Sequence, residues 1–389
     1  MNFVDFLSRA RVKISDVARR SSLLTTTETL NVIFGNEACD LDSAVSALVY
    51  AWFLTRIQSI ENRKKIYHIP VLNIPQNMFR LKTETVHLLK KFEISQNDLI
   101  FQDTVDFHNL FCNHKQNVKI TLLDHHVLSR SDEYLYPMVS EVIDHRTQAR
   151  EYDSDIKVEI ATVGSCTTLI AERIIKAIDR EELMLSDKEL KEITLLVTGP
   201  ILLDTVNLQE SAGKVTERDL NVIRTFWKNN SNEQLAQIFI ELSEAKYSAD
   251  GLTVEDLMLK DAKFIENKDR TTKLFLSTIH DKMENFLHRD DAVSCIPILV
   301  SARNCHLWLG LAPLKNDESE KPFKPLLLFS ENHDLTAKVK QALISSETPC
   351  LQIIVEDSNG ISEEFTKLRM YNIKASRKQI LPVVQQAID

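Results

Sequence analysis

The sequence comprises 389 residues with a formal net charge of −9, from 47 Lys and Arg against 56 Asp and Glu. This length exceeds what one hydrophobic core usually serves, so we expect two domains. The composition, 43% hydrophobic and 26% charged, is typical of a folded globular protein and excludes disorder as the main state. The acidic balance disfavours nucleic-acid binding through many phosphate contacts. No apolar run approaches the roughly 18 residues of a membrane span.

Glycine and cysteine patterns narrow the chemistry further. The seven glycines form neither GxGxxG nor GxxxxGK followed by Ser or Thr, so any phosphate chemistry must use side chains and metals. The six cysteines form no CxxC pair, which is typical of a reducing compartment and predicts buried thiols. We expect a cytoplasmic protein. Because residues 1–22 weakly resemble a mitochondrial transit helix, the mitochondrial matrix is the alternative to an exposed leading helix in the cytoplasm.

Short apolar runs alternate with helical patterns from Leu30 to about Thr205. In chain order, the predicted strands are 30–34, 65–72, 98–101, 118–123 and 140–143, and the predicted helices are 43–57, 166–178 and 188–203. Short strands rich in Val, Ile and Leu that are separated by helices are typical of a parallel sheet covered on both faces. This half of the chain is therefore predicted as α/β. A polar, amphipathic helix over 232–247 follows it.

A turn-like SADG segment at 248–251 is the predicted linker, so we assign 1–247 to the first domain and 252–389 to the second. The second domain begins with a predicted helix over 254–265. It continues with predicted strands at 273–279, 295–300, 306–312, 324–330 and 351–355, and with predicted helices at 333–344 and 378–388. We expect a smaller domain of mixed α/β type.

Acidic residues and histidines follow several of the predicted strands. Asp40 and Asp42 follow the first strand, Asp124 follows another together with two histidines, and Asp144 with His145 follows the next. Ligands bind at the carboxyl edge of open parallel sheets, where neighbouring strand ends meet. Carboxylate and imidazole together suit Mn²⁺, Fe²⁺ or Zn²⁺, whereas carboxylate and amide oxygens suit Mg²⁺. These segments predict a divalent metal site, although Asp42 alone could equally cap the helix after it.

Other polar segments have structural alternatives. Asp204 ends an apolar helix and could simply hydrogen-bond to nearby backbone. Asp103 and Asp106 follow the strand candidate at 98–101, and we favour a loop-capping role for them over metal binding. The segment 164–168 opens a helix and could offer N–H groups to an anion, but ordinary N-capping is the favoured interpretation.

Four segments together resemble the DHH phosphoesterase superfamily. They are GNEACDLDS at 35–43, LLDHHVLS at 122–129, EVIDHR at 141–146 and ILLDTVN at 201–207, in the order of the family. They resemble most the Prune-type short-chain exopolyphosphatases, relatives of the family II inorganic pyrophosphatases. In the second half, SRKQ at 376–379 and DAK at 261–263 resemble phosphate-binding segments of the DHHA2 domain. The resemblance implies a parallel-sheet DHH domain, a DHHA2 domain and an active site in the cleft between them.

The resemblance also implies ligands for two divalent cations, Mg²⁺ or Mn²⁺. The first would be bound by Asp40, Asp124 and the position of Asn36, and the second by Asp42, Asp124, His145 and Asp204. Asp124 would bridge the two cations, and the water that they share would be the nucleophile of an in-line displacement. Because Asn36 stands where the pyrophosphatases have a histidine, we expect a shift in preference from Mn²⁺ towards Mg²⁺.

The remaining residues implied by the resemblance handle protons and substrate. His125 would be a second-sphere or proton-handling residue, and His126 lies beside it in the catalytic motif. The cationic residues implied to bind substrate are Arg146, Lys263, Arg377 and Lys378. Arginine can fork onto two phosphate oxygens, whereas lysine acts as a point charge. We therefore expect these side chains to hold the phosphates of a short, highly charged substrate.

The implied function is metal-dependent hydrolysis of phosphoanhydride bonds, as an exopolyphosphatase of short-chain inorganic polyphosphates. Two other reactions stay open, the hydrolysis of cyclic nucleotides and that of pyrophosphate. The three tryptophans lie in apolar patterns, so no base-stacking site is predicted. A further alternative, from another class, is an interaction protein that binds nucleoside diphosphate kinase, as Prune-family members are described to do. We expect no nucleic-acid or membrane partner.

Overall fold

The computed structural model describes residues 2–20, 27–58, 65–130, 132–228, 231–289, 291–316, 320–356 and 362–389. The chain divides into two units, Met1–Lys246 and Tyr247–Asp389, and each unit has its own sheet. Within the described residues, no helix is long and apolar enough to cross a membrane.

The N-terminal unit is built on a five-stranded parallel sheet. Its strands are β1 (Glu28–Phe34), β2 (Lys65–Val71), β3 (Val118–Leu123), β4 (Val139–Asp144) and β5 (Lys157–Ile160). Its helices are α1 (Phe3–Arg20), α2 (Leu41–Ile57), α3 (Thr83–Lys90), α4 (Phe107–His114), α5 (Cys166–Asp179), α6 (Asp187–Asp204), α7 (Glu217–Phe226) and α8 (Asn232–Tyr247). Short 3₁₀ helices lie at Gln76–Leu81, Gln96–Asp98, Lys115–Asn117, Glu133–Met138 and Glu210–Ala212. The predicted α/β architecture is confirmed.

The order of the strands determines where a ligand can bind. The order is β2-β1-β3-β4-β5, and every neighbouring pair is parallel. The chain places β2 on one side of β1 and β3 on the other, so the connections diverge at the carboxyl ends of β1 and β3. Such a switch point leaves a crevice in which open α/β sheets bind their ligands. The segments at 35–43 and 122–129 leave the sheet at this crevice.

Helix α1 buries one face in the core of the N-terminal unit. Its buried apolar residues recur every three or four positions and are Phe3, Phe6, Leu7, Ala10, Ile14 and Val17. The ring of Phe3 lies 6.3 Å from that of Trp52 on α2. This spacing is typical of an amphipathic helix packed on a core. We expected an exposed leading helix, but one face of α1 is buried, so that expectation is wrong for the buried face.

One predicted strand of the N-terminal unit does not form, and one strand that does form was not predicted. Residues 98–101 do not form a strand, and Phe101 makes only an isolated parallel bridge with Leu72. Strand β5 was not predicted because its sequence KVEI is half charged and lies at the edge of the sheet, where side chains face water.

Among the cysteines, Cys112 and Cys350 are exposed, contrary to the prediction of buried thiols.

The C-terminal unit has a mixed six-stranded sheet with the order β10-β11-β9-β8-β7-β6. Its strands are β6 (Lys263–Glu266), β7 (Lys273–Thr278), β8 (Leu307–Leu311), β9 (Lys324–Phe329), β10 (Ile353–Glu356) and β11 (Phe365–Met370). Its helices are α9 (Val254–Leu259), α10 (Met283–Leu287), α11 (Ala292–Ala302), α12 (His333–Ser345) and α13 (Arg377–Ile388). Only β7 and β8 pair in parallel among its described strands. The predicted mixed α/β type is confirmed.

One apolar run of the C-terminal unit has the wrong predicted structure. Residues 295–300 were predicted as a strand but lie inside helix α11. A short apolar run fits either structure, because periodicity cannot separate a buried strand from a buried helix. The buried positions Ala292, Ile296, Leu299 and Val300 have helical spacing. The helix predicted over 254–265 is too long, because α9 ends at Leu259 and Lys263–Glu266 form β6. Strand β11 was not predicted, since charged residues lie between its apolar ones.

Candidate metal centre

Three predicted ligands come together at the carboxyl edge of the N-terminal sheet. Each of Asp42, Asp124 and His145 offers one ligand atom, and these atoms lie within 4.8 Å of one another. Nε2 of His145 is 3.2 Å from Oδ1 of Asp124 and 3.9 Å from Oδ2 of Asp42. Two carboxylates and one imidazole form a donor set that suits a divalent transition metal. The three residues come from the segments after β1, β3 and β4, as the sequence analysis expected.

Asp124 is buried and has an oxygen available for a cation. The residue has a positive φ of 58° directly after β3, a conformation that aspartate tolerates better than most residues. No described donor meets hydrogen-bond geometry at its Oδ1, although Nη1 of Arg146 lies 3.0 Å away and Nε2 of His145 lies 3.2 Å away. Burial, followed by the charge of Asp42, raises the pKa of Asp124 to about 7. A buried carboxylate oxygen without a hydrogen bond fits a metal ligand, since a cation would satisfy it.

His145 is fixed in the tautomer that a metal ligand requires. Its Nδ1 lies 3.0 Å from the carbonyl oxygen of Val163 and donates to it. The other nitrogen, Nε2, is thereby the lone-pair nitrogen of the neutral ring and faces the two carboxylates. Burial lowers the pKa of His145, but Asp124 and Asp42 outweigh burial and raise this pKa to about 9. The carboxylates thus favour a positive charge at this position.

The N-terminus of α5 holds Asp42. Oδ1 of Asp42 accepts hydrogen bonds from the Ser165 hydroxyl at 2.6 Å and from the Thr167 N–H and hydroxyl at 2.8 and 2.6 Å. Oδ2 accepts from the Cys166 N–H at 2.7 Å. The side chain of Ser165 makes no capping bond, so the favoured N-capping interpretation is wrong. The helix end does bind an anion, and this anion is the Asp42 carboxylate.

The other implied ligands have different contacts. Asp40 caps α2, because its Oδ1 accepts from the Ser43 N–H at 3.1 Å. Burial raises the pKa of Asp204, at the end of α6, well above its usual range, and the nearby charges of Asp42 and Asp40 add to this effect. Asp40 and Asp204 lie outside the 4.8 Å cluster.

Asn36 contacts Asp124, the residue implied to bridge the two cations, through its amide nitrogen. Nδ2 donates to Oδ2 of Asp124 at 2.6 Å, and Oδ1 accepts from the Cys39 N–H at 2.9 Å. A reversed amide would place its NH₂ group against the Cys39 N–H, so the backbone fixes this orientation. An amide nitrogen is not a metal ligand. In this geometry Asn36 is a hydrogen-bond donor to Asp124.

The two histidines of the second segment differ in their environments. Nδ1 of His125 donates to the Leu123 carbonyl at 2.9 Å, and burial lowers the pKa of His125. His126 uses both ring nitrogens: Nδ1 faces Oδ2 of Asp144 at 2.5 Å, and Nε2 accepts from the Ala149 N–H at 2.9 Å. Both ring nitrogens of His126 therefore have protein partners in this structure, whereas Nε2 of His125 makes no hydrogen bond with another described residue.

Arg146 lies beside the predicted bridging ligand. Its Nη1 is 3.0 Å from Oδ1 of Asp124 and 3.3 Å from Oδ1 of Asp144, and it also donates to the Asp124 carbonyl. About half of the Arg146 side chain is exposed. The guanidinium therefore balances the carboxylates and still presents donors to solvent. A phosphate could accept hydrogen bonds from these donors.

The C-terminal unit has a cationic pocket of about 520 Å³. Ser376 and Gln379 form a capping box, which places Arg377 and Lys378 in the first turn of α13. Nη2 of Arg377 is paired with Asp261 at 3.0 Å, whereas its buried Nη1 has no hydrogen-bond partner among the described residues. Cations at a helix N-terminus oppose the helix dipole, so this placement favours an anion nearby. Arg377, Lys378 and Lys324 line the pocket.

Comparisons with known proteins identify the family. The model of the DHH family N-terminal domain matches residues 31–199, and that of the DHHA2 domain matches residues 240–387. The chain is 32% identical over 364 residues to the protein named Exopolyphosphatase PRUNE1 of Rattus norvegicus, an alignment that covers 92% of this chain and 75% of the relative. The chain belongs to the Prune family of DHH phosphoesterases. The predicted family is confirmed.

Two further similarities agree with this family. The chain is 27% identical over 401 residues to a putative exopolyphosphatase of Schizosaccharomyces pombe, which covers 98% of this chain and 97% of the relative. A putative family II inorganic pyrophosphatase from Methanococcus jannaschii has a similar fold, with a TM-score of 0.51 and 20% identity. That match covers 92% of this chain and 99% of the other chain. The Prune chain thus shares its two-domain fold with this pyrophosphatase structure.

Asp144, which lies in the EVIDHR motif, is fully buried and accepts from the His145 N–H at 2.7 Å and from His126. The Prune motifs did not indicate two other residues that shape the site. Ser165 and Thr167 bind Asp42 from a segment twenty residues later. A Ser-Cys-Thr sequence before an apolar helix signals a helix start, but which anion it meets depends on tertiary structure. Sequence reasoning could find this segment and not its partner.

Proposed function

We propose that the protein is a metal-dependent exopolyphosphatase that releases terminal phosphate from short-chain inorganic polyphosphates. One observation carries the proposal: ligand atoms of Asp42, Asp124 and His145 converge within 4.8 Å. The names of the rat and fission-yeast relatives support the same activity.

The residues of the N-terminal unit would hold two cations, Mg²⁺ or Mn²⁺. Asp124 would bridge them, Asp42, His145 and Asp204 would hold one, and Asp40 would hold the other. When bound, such a pair supplies an acidified water and neutralises charge on phosphoryl oxygens. Asn36 would orient Asp124 through its 2.6 Å hydrogen bond. The contact between His126 and Asp144 would hold the ends of β3 and β4 together, and His125 would donate or accept protons.

Four cationic residues would bind the phosphates. Arg146 presents donors beside Asp124, and Arg377 has a buried Nη1 without a hydrogen-bond partner among the described residues. Lys378 follows Arg377 in the first turn of α13, and Lys263 is exposed at the start of β6. Because each added phosphate brings added charge, several cations favour tripolyphosphate or tetrapolyphosphate over pyrophosphate.

A second candidate reaction is the hydrolysis of an organic phosphate such as a cyclic nucleotide. The pocket of the C-terminal unit has an apolar wall that includes Ile279 and Leu311. The rings of Tyr247 and His280, which also line it, lie 5.5 Å apart. An aromatic pair beside cations can bind a base or another flat group. A scaffold that binds nucleoside diphosphate kinase is the alternative without catalysis.

The test is phosphate release from tripolyphosphate, pyrophosphate and a cyclic nucleotide, each with Mg²⁺ or Mn²⁺. We expect turnover of tripolyphosphate above the others, and its loss in Asp124→Asn. Asp155→Asn is the control, because Asp155 is an exposed acid of the same unit. Faster turnover of the cyclic nucleotide would support the second candidate. Metal binding without any turnover would leave the interaction protein as the function to pursue.

The role of the C-terminal pocket needs a separate variant. We expect Arg377→Ala to raise KM for tripolyphosphate, because the substitution removes a guanidinium that can fork onto two phosphate oxygens. Arg303→Ala is the matched control, since Arg303 follows α11 and does not line the pocket. An unchanged KM in Arg377→Ala would remove Arg377 from the proposed substrate site.

A further inference from the structure

Asp219 is a buried carboxylate outside every segment that resembles the DHH family. It lies in the first turn of α7 and is 0% exposed. Part of its role is local, because Thr216 and Asp219 form the capping box of α7. In this box Oδ2 accepts from the Thr216 N–H and hydroxyl, both at 2.7 Å. A capping box of this kind needs no further partner.

Asp219 makes additional contacts that cross to the start of α5. The Gly164 N–H donates to Oδ2 at 2.9 Å and to Oδ1 at 3.1 Å, and the Thr168 hydroxyl donates to Oδ1 at 2.5 Å. These donors lie more than fifty residues earlier in the chain. A charge-assisted hydrogen bond that is buried is stronger than a neutral one, so these contacts attach the segment 164–168 to α7.

The segment 164–168 is the same one that binds Asp42. Its hydroxyl and N–H groups at Ser165, Cys166 and Thr167 donate to both oxygens of that carboxylate. The segment is also closely packed at its start. A Cβ atom on Gly164 would lie 2.4 Å from Cγ2 of Thr205, the residue after Asp204, and 3.0 Å from Oδ2 of Asp219. The position of this backbone therefore affects two proposed metal ligands.

We propose that Asp219 is a positioning residue of the metal centre, which acts by fixing the segment 164–168 against Asp42. Asp219 touches none of the proposed ligands. Its carboxylate binds Gly164 and Thr168. The residues between these two, 165–167, donate hydrogen bonds to Asp42. Partners of metal ligands typically contribute about ten- to hundredfold to metal affinity. The inference rests on the metal site of the proposed function and adds a residue that orients it.

The experiment separates the link to α5 from the capping of α7. Thr168→Val removes the hydroxyl that reaches Asp219 and keeps the capping box, whereas Thr216→Val removes the capping hydroxyl and keeps the contacts to α5. Both substitutions replace a hydroxyl by a methyl group. Asp219→Asn is the third variant, because its NH₂ group faces N–H donors. Mn²⁺ binding to the full chain is measured by calorimetry, and folding by thermal unfolding.

We expect Thr168→Val and Asp219→Asn to weaken Mn²⁺ binding by about tenfold. Thr216→Val should lower the unfolding temperature and leave the Mn²⁺ affinity unchanged. The inference is overturned if Thr168→Val and Asp219→Asn bind Mn²⁺ like the wild type, or if Thr216→Val weakens binding as much as Thr168→Val. If the wild type itself binds no Mn²⁺, the metal site of the proposed function fails, and the positioning role fails with it.

Discussion

Two neighbouring strand ends each carry an aspartate and a histidine and use them in opposite ways. After β3, Asp124 faces the proposed metal centre, and His126 of the same segment is turned inward. After β4, His145 faces the centre and Asp144 is turned inward. The inward residues contact each other, with Nδ1 of His126 2.5 Å from Oδ2 of Asp144. The contact joins the two strand ends behind the cluster of ligands.

The difference arises where each strand ends. Leu123 of β3 pairs with Ile143 of β4, so Asp124 and Asp144 are the next residues on parallel strands. They would face the same side if both strands continued, because side chains alternate along a strand. Strand β4 does continue, and Asp144 pairs with Ile160 of β5. Asp124 instead leaves β3 with φ 58°. One left-handed residue therefore distinguishes the proposed ligand Asp124 from the structural aspartate Asp144.

The largest expected effect comes from the aspartate that faces the centre. We expect Asp124→Asn to slow phosphate release from tripolyphosphate by about a thousandfold, which corresponds to about 4 kcal/mol of lost transition-state stabilisation. Asparagine tolerates the positive φ, so the backbone should not change. Urea unfolding checks that the variant folds. Activity within tenfold of the wild type would show that Asp124 is not a ligand.

Asp144, the aspartate at the end of β4, should affect the free energy of unfolding. Asp144 accepts from His126, from the His145 N–H and from Nη1 of Arg146, and it is fully buried. We expect Asp144→Asn to lower the free energy of unfolding by about 3 kcal/mol, because an amide NH₂ cannot accept these bonds. Urea unfolding measures the change. The exposed Asp155→Asn is the control, and equal losses in the two variants would contradict the difference between the two strand ends.

The pKa values of Asp124 and His145 predict how metal affinity depends on pH. A metal ligand must lose its proton, and in the protein without metal the pKa of Asp124 is about 7 and that of His145 about 9. Metal affinity should therefore rise with pH, by about tenfold per unit while one group remains protonated, and level off above about pH 9. Calorimetry with Mg²⁺ from pH 6 to 9 measures this. In His145→Asn the titration of His145 is lost and the pKa of Asp124 rises, because His145 lowers that pKa in the wild type. The rise should then be no steeper than about tenfold per unit at any pH, including below pH 7, where two protons are lost in the wild type. An unchanged profile would exclude His145 as a group that titrates.

The sequence allowed much of the fold to be predicted, together with the cluster of Asp42, Asp124 and His145. Apolar runs predicted β1 and β3, and the acidic residues behind them predicted the edge where ligands meet, because this edge follows from parallel topology. Without the family resemblance, the sequence pattern could not indicate which aspartate and which histidine of the two segments face the centre. That choice depends on the φ angle of Asp124 and on the hydrogen bonds of His126, which are tertiary features.

Hydrogen-bond direction determines how Asn36 contacts Asp124 in the structure. The resemblance placed Asn36 among the ligands because a histidine occupies this position in related enzymes. In the structure, the Cys39 N–H occupies the amide oxygen and leaves the NH₂ group for Asp124. The donor that decides the orientation is a backbone group three residues away, and no side-chain pattern reveals it. Asp219 was missed for the same reason, since its donors at Gly164 and Thr168 come from a distant segment.

The smallest effect is expected at a third group of acids, Asp103 and Asp106. Oδ1 of Asp103 accepts from the Gln76 N–H at 2.9 Å, and Oδ1 of Asp106 accepts from the Asn109 N–H at 2.9 Å in the first turn of α4. Both carboxylates therefore cap backbone groups, so Asp106→Ala should cost about 1 kcal/mol of stability and leave phosphate release unchanged. Urea unfolding and phosphate release measure the two effects in one preparation. A tenfold loss of turnover in Asp106→Ala would add this segment to the metal centre, and it would show that an acid with a capping partner can still serve the chemistry.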